Sequence, residues 1–193
     1  MIYSQNGLPD LKVRKAKASD AVGCAKLHKR VYPENLLTSK LSEQALEFYY
    51  QEMFENMEYC FVFEDNDRLH LILAIGSSSG TIQRKLYIRF FGHILLKLLQ
   101  NPKVLLNNLR YRLALGTFRP KYSLRLLNLL KTIDRYNTLE QVKMIEKHLS
   151  AEGIVGYGHS VHTSNLSAIN FHIRNKCIVE RFISDRVFFS KNL

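Results

Sequence analysis

Residues 153–177 read GIVGYGHSVHTSNLSAINFHIRNKC, and the fold is decided here. The β-favouring residues Ile154, Val155, Tyr157 and Val161 run into Thr163-Ser164-Asn165, three residue types that favour the position before a helix. Apolar Leu166, Ile169 and Ile173 then recur at helical spacing, with Ala168 and Phe171 widening the face. The segment therefore reads as a strand feeding directly into a helix. Such a junction sets free backbone N–H groups and a positive helix end beside a strand terminus, where ligands commonly bind.

Working outward, Thr138 is expected to cap a helix carrying Val142, Ile145 and Leu149, with Gly153 closing it. Val179 to Ile183 and Arg186 to Phe189 alternate around Ser184-Asp185 as a final hairpin. Towards the N-terminus, Leu11 to Val13 suggests a first strand. Ser19-Asp20 supply cap chemistry for a helix through Ala21, Cys24, Leu27, His28 and Val31, ended by Tyr32-Pro33. Ser42 or Thr38 caps a second helix with Leu46, Phe48, Tyr49, Met53 and Phe54, whose aromatics are expected in the core. Tyr59 to Glu64 and Leu69 to Ile75 form a hairpin around Asp65-Asn66-Asp67. Gly76 to Gly80 reads as a loop. Arg84 to Leu99 and Pro102 to Leu115 read as two basic amphipathic helices, and Tyr122 to Leu130 as the central strand, although its leucines would equally serve a helix.

The opening stretch resembles the C-terminal half of the GNAT superfamily of acyl-CoA N-acyltransferases, where a segment N-x-x-A-I-x-L-Y-x-K-x-G-F follows a glycine-ended helix and a strand. Asn165, Ala168, Ile169, Phe171 and Arg174 fall at that spacing without a gap. His172 stands where the family usually has a catalytic tyrosine, and Lys176-Cys177 replace Gly-Phe. VRKAKASDA is similar to the family's opening strand and turn, and YCFVFEDNDRLHLILAIGSSS to its second and third strands.

The resemblance implies a three-layer α/β fold, a mixed and mostly antiparallel sheet of about six or seven strands flanked by helices. It implies one domain over residues 1–193, with a basic helical insertion at about 84–115. It also implies transfer of an acyl group, expected to be acetyl from acetyl-CoA, to the amine of a small molecule. Backbone N–H groups at Leu129 and Leu130 would then polarise the thioester, and the loop of Arg135, Tyr136, Asn137 and Thr138 would hold the pyrophosphate. Asn165 would contact pantetheine or simply cap its helix. His172 is the candidate acid for the leaving thiolate, against the plainer reading of a helix histidine satisfied by a carbonyl. The family loop Q/R-x-x-G-x-G/A uses glycine to let backbone approach phosphate. Arg135, Tyr136, Asn137 and Thr138 contain none. The rival expectation is a non-catalytic chain of this fold whose basic helices bind an acidic partner or membrane surface.

Charge narrows the partners. Between Asp67 and Asp134 there is no acidic residue and there are 12 Lys and Arg, one more than the net charge of +11, so the remainder is near neutral. An amino-sugar nucleotide is an acceptor class that suits such a middle. Peripheral membrane contact through 84–115 is a further reading, beside the plainer one of a packing lid whose cations face water. Nucleic acid is not expected, since no recognised motif accompanies the charge. His159 and His162 lie an odd number of residues apart on a strand and point to opposite faces, so a shared metal is not expected; either is a candidate base for the amine. Cys24, Cys60 and Cys177 form neither a disulfide framework nor a metal spacing. With no secretory pattern near Met1 and no long uncharged apolar run, a cytoplasmic location is expected. Nothing in the sequence points to an oligomeric state.

Overall fold

Strand pairing begins with β1 (Lys12–Lys15), in a computed structural model that describes residues 12–32, 36–65, 68–115, 118–131 and 138–193. The chain divides into two compact units, Met1–Val104 with Leu127–Tyr136, and Leu105–Leu126 with Asn137–Leu193. In the first, β1 is followed by a 3-10 turn (Ala18–Asp20), then α1 (Ala21–Val31), α2 (Leu37–Lys40), α3 (Glu43–Asn56), β2 (Tyr59–Asp65), β3 (Arg68–Gly76), α4 (Ser79–Arg89) and α5 (Phe91–Leu99). The strands β1, β2 and β3 form an antiparallel meander, with Val13 opposite Phe63 and Phe61 opposite Leu73.

Alternation along β2 and β3 sends Cys60, Val62, Ile72 and Ala74 into one core with Cys24 and Leu27 of α1 and Leu46, Tyr50 and Met53 of α3. The α3 aromatics are core, as expected. Ser42 caps α3, its Oγ accepting from Ala45 N at 3.2 Å, whereas Thr38 lies inside α2. Asp20 differs from the sequence expectation. Its carboxylate accepts from Lys17 N at 2.7 Å, so it closes the 3-10 turn and not α1. Arg14 holds that carboxylate at 2.7 Å and Glu64 at 2.8 Å, tying β1, the turn and β2 together.

The expected Gly76–Gly80 loop and single helix from Arg84 to Leu99 are both corrected. Helix begins at Ser79 and breaks at Phe90, where φ −114° and ψ 26° leave helical values. The apolar series explains the break. Ile82, Leu86, Phe90, Ile94 and Leu98 all pack on the core at four-residue spacing. In a straight α-helix each such step drifts about 40°, which would carry Ile94 and Leu98 off the core. Phe90 instead lies against Phe48, ring centroids 5.7 Å apart, and the chain restarts with Ile94 buried.

Then come α6 (Pro102–Leu115) and β4 (Arg125–Lys131), the latter starting three residues after the expected Tyr122. The second unit continues with α7 (Thr138–Ala151), β5 (Gly156–His162), α8 (Leu166–Arg174), β6 (Ile178–Ile183) and β7 (Arg186–Asn192). Gly153 has φ +81° and Ile154 N donates to Leu149 O at 3.0 Å, the glycine stop foreseen for α7. β7 runs antiparallel to both β5 and β6, with Ser184-Asp185 joining the hairpin. Arg125 pairs in parallel with Gly158. Among the described residues the strand order is β1-β2-β3-β4-β5-β7-β6, an open, mixed seven-stranded sheet accompanied by eight α-helices. No described helix is long and apolar enough to cross a membrane.

The end of α8 shows one local strain. Lys176, where the family pattern has glycine, has φ 58°, and Cys177 N closes the turn on His172 O at 2.9 Å. A side chain in this left-handed region is disfavoured by roughly 1–2 kcal/mol. Lys176→Gly should accordingly raise stability, by up to about 1 kcal/mol once glycine's greater unfolded-state entropy is deducted, read as a higher urea midpoint.

Candidate functional site

β5 and α8, the pair read first in the sequence, place the titratable side chains. Alternation along β5 turns Tyr157, His159 and Val161 to one face, where His159, Val161 and Phe189 are buried and Ala168 and Ile169 of α8 cover Val161 and Phe189. His162 lies on the other face, as the odd spacing required. Asn165 starts α8 by accepting Ala168 N on Oδ1 at 3.1 Å. With α8 aligned in this way, His172 comes round to the buried side.

His159 and His172 stand 3.8 Å apart between ring centroids, and His159 stacks on Phe189 at 5.1 Å. The His172 Nδ1 is 4.0 Å from Cys177 Sγ. Burial lowers the His172 pKa to about 4 and pushes His159 well below the usual imidazole value, the neighbouring His172 and Arg125 adding to the effect. Burial also pushes the Cys177 thiol up to about 12. The cluster is therefore two neutral imidazoles and a protonated thiol. His172 can offer an N–H as a hydrogen-bond donor, but at neutral pH it is not an imidazolium. Among the described residues neither ring nitrogen of His159 has a hydrogen-bond partner. Potential ligand atoms of His159, His172 and Cys177 lie within 4.8 Å of one another, which makes them the group among the described residues able to hold a metal ion.

Glu146 fixes the surroundings. Its Oε1 accepts from Tyr157 OH at 2.6 Å and from Asn175 Nδ2 at 2.7 Å, and Lys191 Nζ lies 3.7 Å from Oε2 while donating to Asn175 O at 2.6 Å. One buried carboxylate thus joins α7, β5, the end of α8 and β7. Sequence reasoning passed over it because a glutamate between apolar helix positions looks like a solvated one.

On the other face of β5, His162 Nε2 and Asp185 Oδ2 are 2.9 Å apart, while Nδ1 faces Ser164 Oγ at 2.6 Å and Ser164 N at 3.2 Å. A backbone N–H can only donate, so Nδ1 carries a lone pair and Nε2 carries the proton given to Asp185. This tautomer places the Nδ1 lone pair at the end of the strand, where it accepts from Ser164. In the sequence, Ser184-Asp185 marks only a turn.

At the first turn of α7, Thr138 Oγ1 and Gln141 Nε2 are buried, and among the described residues neither has a hydrogen-bond partner. Thr138 is the first residue of the helix, where the sequence reading had it as the cap one position outside. Three residues apart, the two side chains share a helix face. Gln141 was missed in the sequence, though a polar residue one turn into an otherwise apolar face is its signal. Arg135, Tyr136 and Asn137 lie outside the described residues. Leu129 and Leu130 lie in β4, whose backbone alone is described there.

No family model matches the chain, and no curated protein does. Solved structures do match. A GNAT-family acetyltransferase from Listeria monocytogenes shares 12% identity over 100% of both chains with a TM-score of 0.60. An N-acetyltransferase from Staphylococcus aureus shares 13% over 94% of this chain and 98% of that one, TM-score 0.58. The PaiA N-acetyltransferase from Thermoplasma acidophilum, in complex with coenzyme A, shares 13% over 95% and 99%, TM-score 0.55. The chain has the GNAT fold.

The buried histidines set a pH limit on stability. The pKa values of His159 and His172, and of His28 (about 4) in the first unit, are lower in the folded than in the unfolded state, where histidine titrates near 6.5. Below about 6.5 the unfolded chain binds protons that the folded chain does not. Stability should fall as pH drops from about 6.5 towards 4, by about 1.4 kcal/mol per pH unit for each such group, and urea titrations across that window measure it.

Proposed function

We propose that the protein is an N-acetyltransferase that moves an acetyl group from acetyl-CoA to the primary amine of a small molecule. The observation that carries this reading is a set of buried donors without a partner among the described residues, Thr138 Oγ1 and Gln141 Nε2, on the first turn of α7 in a GNAT fold. Buried polar groups are nearly always satisfied, so two such donors beside the positive end of a helix fit an anion. The pyrophosphate of coenzyme A suits them. They also answer the missing glycines, because side-chain donors replace contacts that a glycine loop makes with backbone. Arg135, Tyr136 and Asn137 complete the cradle in this proposal, and Asn165 contacts pantetheine while capping α8.

Chemically, the amine nitrogen attacks the thioester carbonyl carbon, the C–S bond breaks, the amine loses a proton and the thiolate gains one. His162 is the proposed base: Asp185 holds its proton on Nε2, and the Nδ1 lone pair, which accepts from Ser164 in this structure, takes the amine proton in exchange for that contact. Backbone N–H groups at Leu129 and Leu130 meet the developing oxyanion, and His172 donates its neutral N–H towards the sulfur. The acceptor class proposed is an amino-sugar derivative bearing phosphate, drawn by the acid-free stretch between Asp67 and Asp134.

Calorimetric titration with acetyl-CoA tests the first part: saturable heat is expected, and its absence at high micromolar ligand overturns the proposal. Thr138→Ala with Gln141→Ala should weaken that binding about tenfold or more, at about 1.5–3 kcal/mol per charge-assisted hydrogen bond before compensation by water. His162→Gln should lower kcat by roughly 10²–10⁴ while leaving acetyl-CoA affinity unchanged.

A further inference from the structure

Eight of the sixteen exposed large hydrophobic residues described lie between Ile88 and Leu113, so apolar exposure is concentrated in the same stretch as the positive charge. On α5, Ile94 and Leu98 face the core, while Phe91, Leu95 and Leu99 recur every four residues on a second, exposed face. Phe91 is 65% exposed and Leu99 63%. A helix that needed only to cover the core would carry polar residues there. On α6, Leu106, Leu109 and Leu113 form another exposed stripe, and Leu113 is 83% exposed. Lys103 and Arg110 are exposed one position from it around the helix.

We infer that α5 and α6 are interfacial helices, each of which by itself can seat on an anionic lipid surface. An apolar stripe edged with lysine and arginine seats its hydrophobic side chains at the headgroup boundary while its cations meet lipid phosphates. Charge decides among occupants. A second copy of this chain would bring another net +11 against the same acid-free stretch, which disfavours self-association. A nucleic acid offers phosphates but nothing for Phe91, Leu95 and Leu99 to enter. A bilayer rich in acidic headgroups satisfies both features at once. The inference does not depend on acetyl transfer itself, since neither helix supplies a reacting group, but it draws on the same basic stretch as the proposed acceptor.

Co-sedimentation of the full chain with vesicles tests it. Vesicles of phosphatidylcholine doped with phosphatidylglycerol should carry the protein down, and phosphatidylcholine alone should bind at least about tenfold more weakly, as expected at about 1 kcal/mol per basic residue near the surface. Raised salt should release most of it. Phe91→Gln, Leu95→Gln and Leu99→Gln together, on an exposed face where folding is unaffected and checked by circular dichroism, should reduce binding about tenfold even at low salt. Lys103→Gln with Arg110→Gln should weaken binding chiefly to the acidic vesicles. The inference is overturned if the protein stays in the supernatant at low salt, if both vesicle types bind alike, or if heparin binds as tightly with no loss in the triple variant. A dimer in sedimentation equilibrium that the triple variant disperses, without vesicle binding, overturns it in favour of self-association.

Discussion

The second unit depends on one buried carboxylate. Glu146 projects from α7 into a space that apolar residues otherwise fill, and three donors from three other elements converge on it. A lone charge there would be prohibitive; Tyr157, Asn175 and Lys191 make it tolerable. In return it fixes how α7, β5, the end of α8 and β7 approach one another. The positions of His159 and His172 follow from that fixing, because each lies on an element the carboxylate holds. A hydrophobic residue at 146 would fill the same volume without setting direction, leaving Tyr157 OH and Asn175 unsatisfied.

Most elements were legible from local signals. Ser42, Asn165 and Gly153 each act at the helix ends where their chemistry placed them, because a cap is a local hydrogen bond or a local φ. The break at Phe90 was not legible. Its cause is the match between a drifting apolar stripe and a core built from α3 and β2, and no window of sequence contains both. Asp20 failed as a cap of α1 for a similar reason, since Arg14 and Lys17 claim its carboxylate from outside the helix.

The candidate site was legible by halves. Position 172 is singled out by resemblance and position 162 by residue type, and the structure adds the surroundings that neither signal contains. His172 is buried, and burial lowers its pKa to about 4, so near neutral pH its N–H serves as a hydrogen-bond donor and not as an imidazolium. His162 is oriented by Asp185, a contact across 23 residues of sequence that a turn assignment does not reveal. Glu146 and Gln141 were missed because polar residues on helices are ordinary until one knows which face is covered. The fold, shared with proteins at 10–13% identity, tolerates these exchanges because its backbone pattern outlasts its side chains.

The three free cysteines have a practical meaning. Cys24 and Cys60 are buried in the first unit and Cys177 in the second, and burial raises the pKa of each thiol, so all three are protonated and sealed from reagents in the native state. Alkylation can then proceed only through transient opening. The molecule thus carries native reporters in both halves, and comparing labelling rates at Cys24 or Cys60 with the rate at Cys177 would reveal whether the halves breathe in concert or separately.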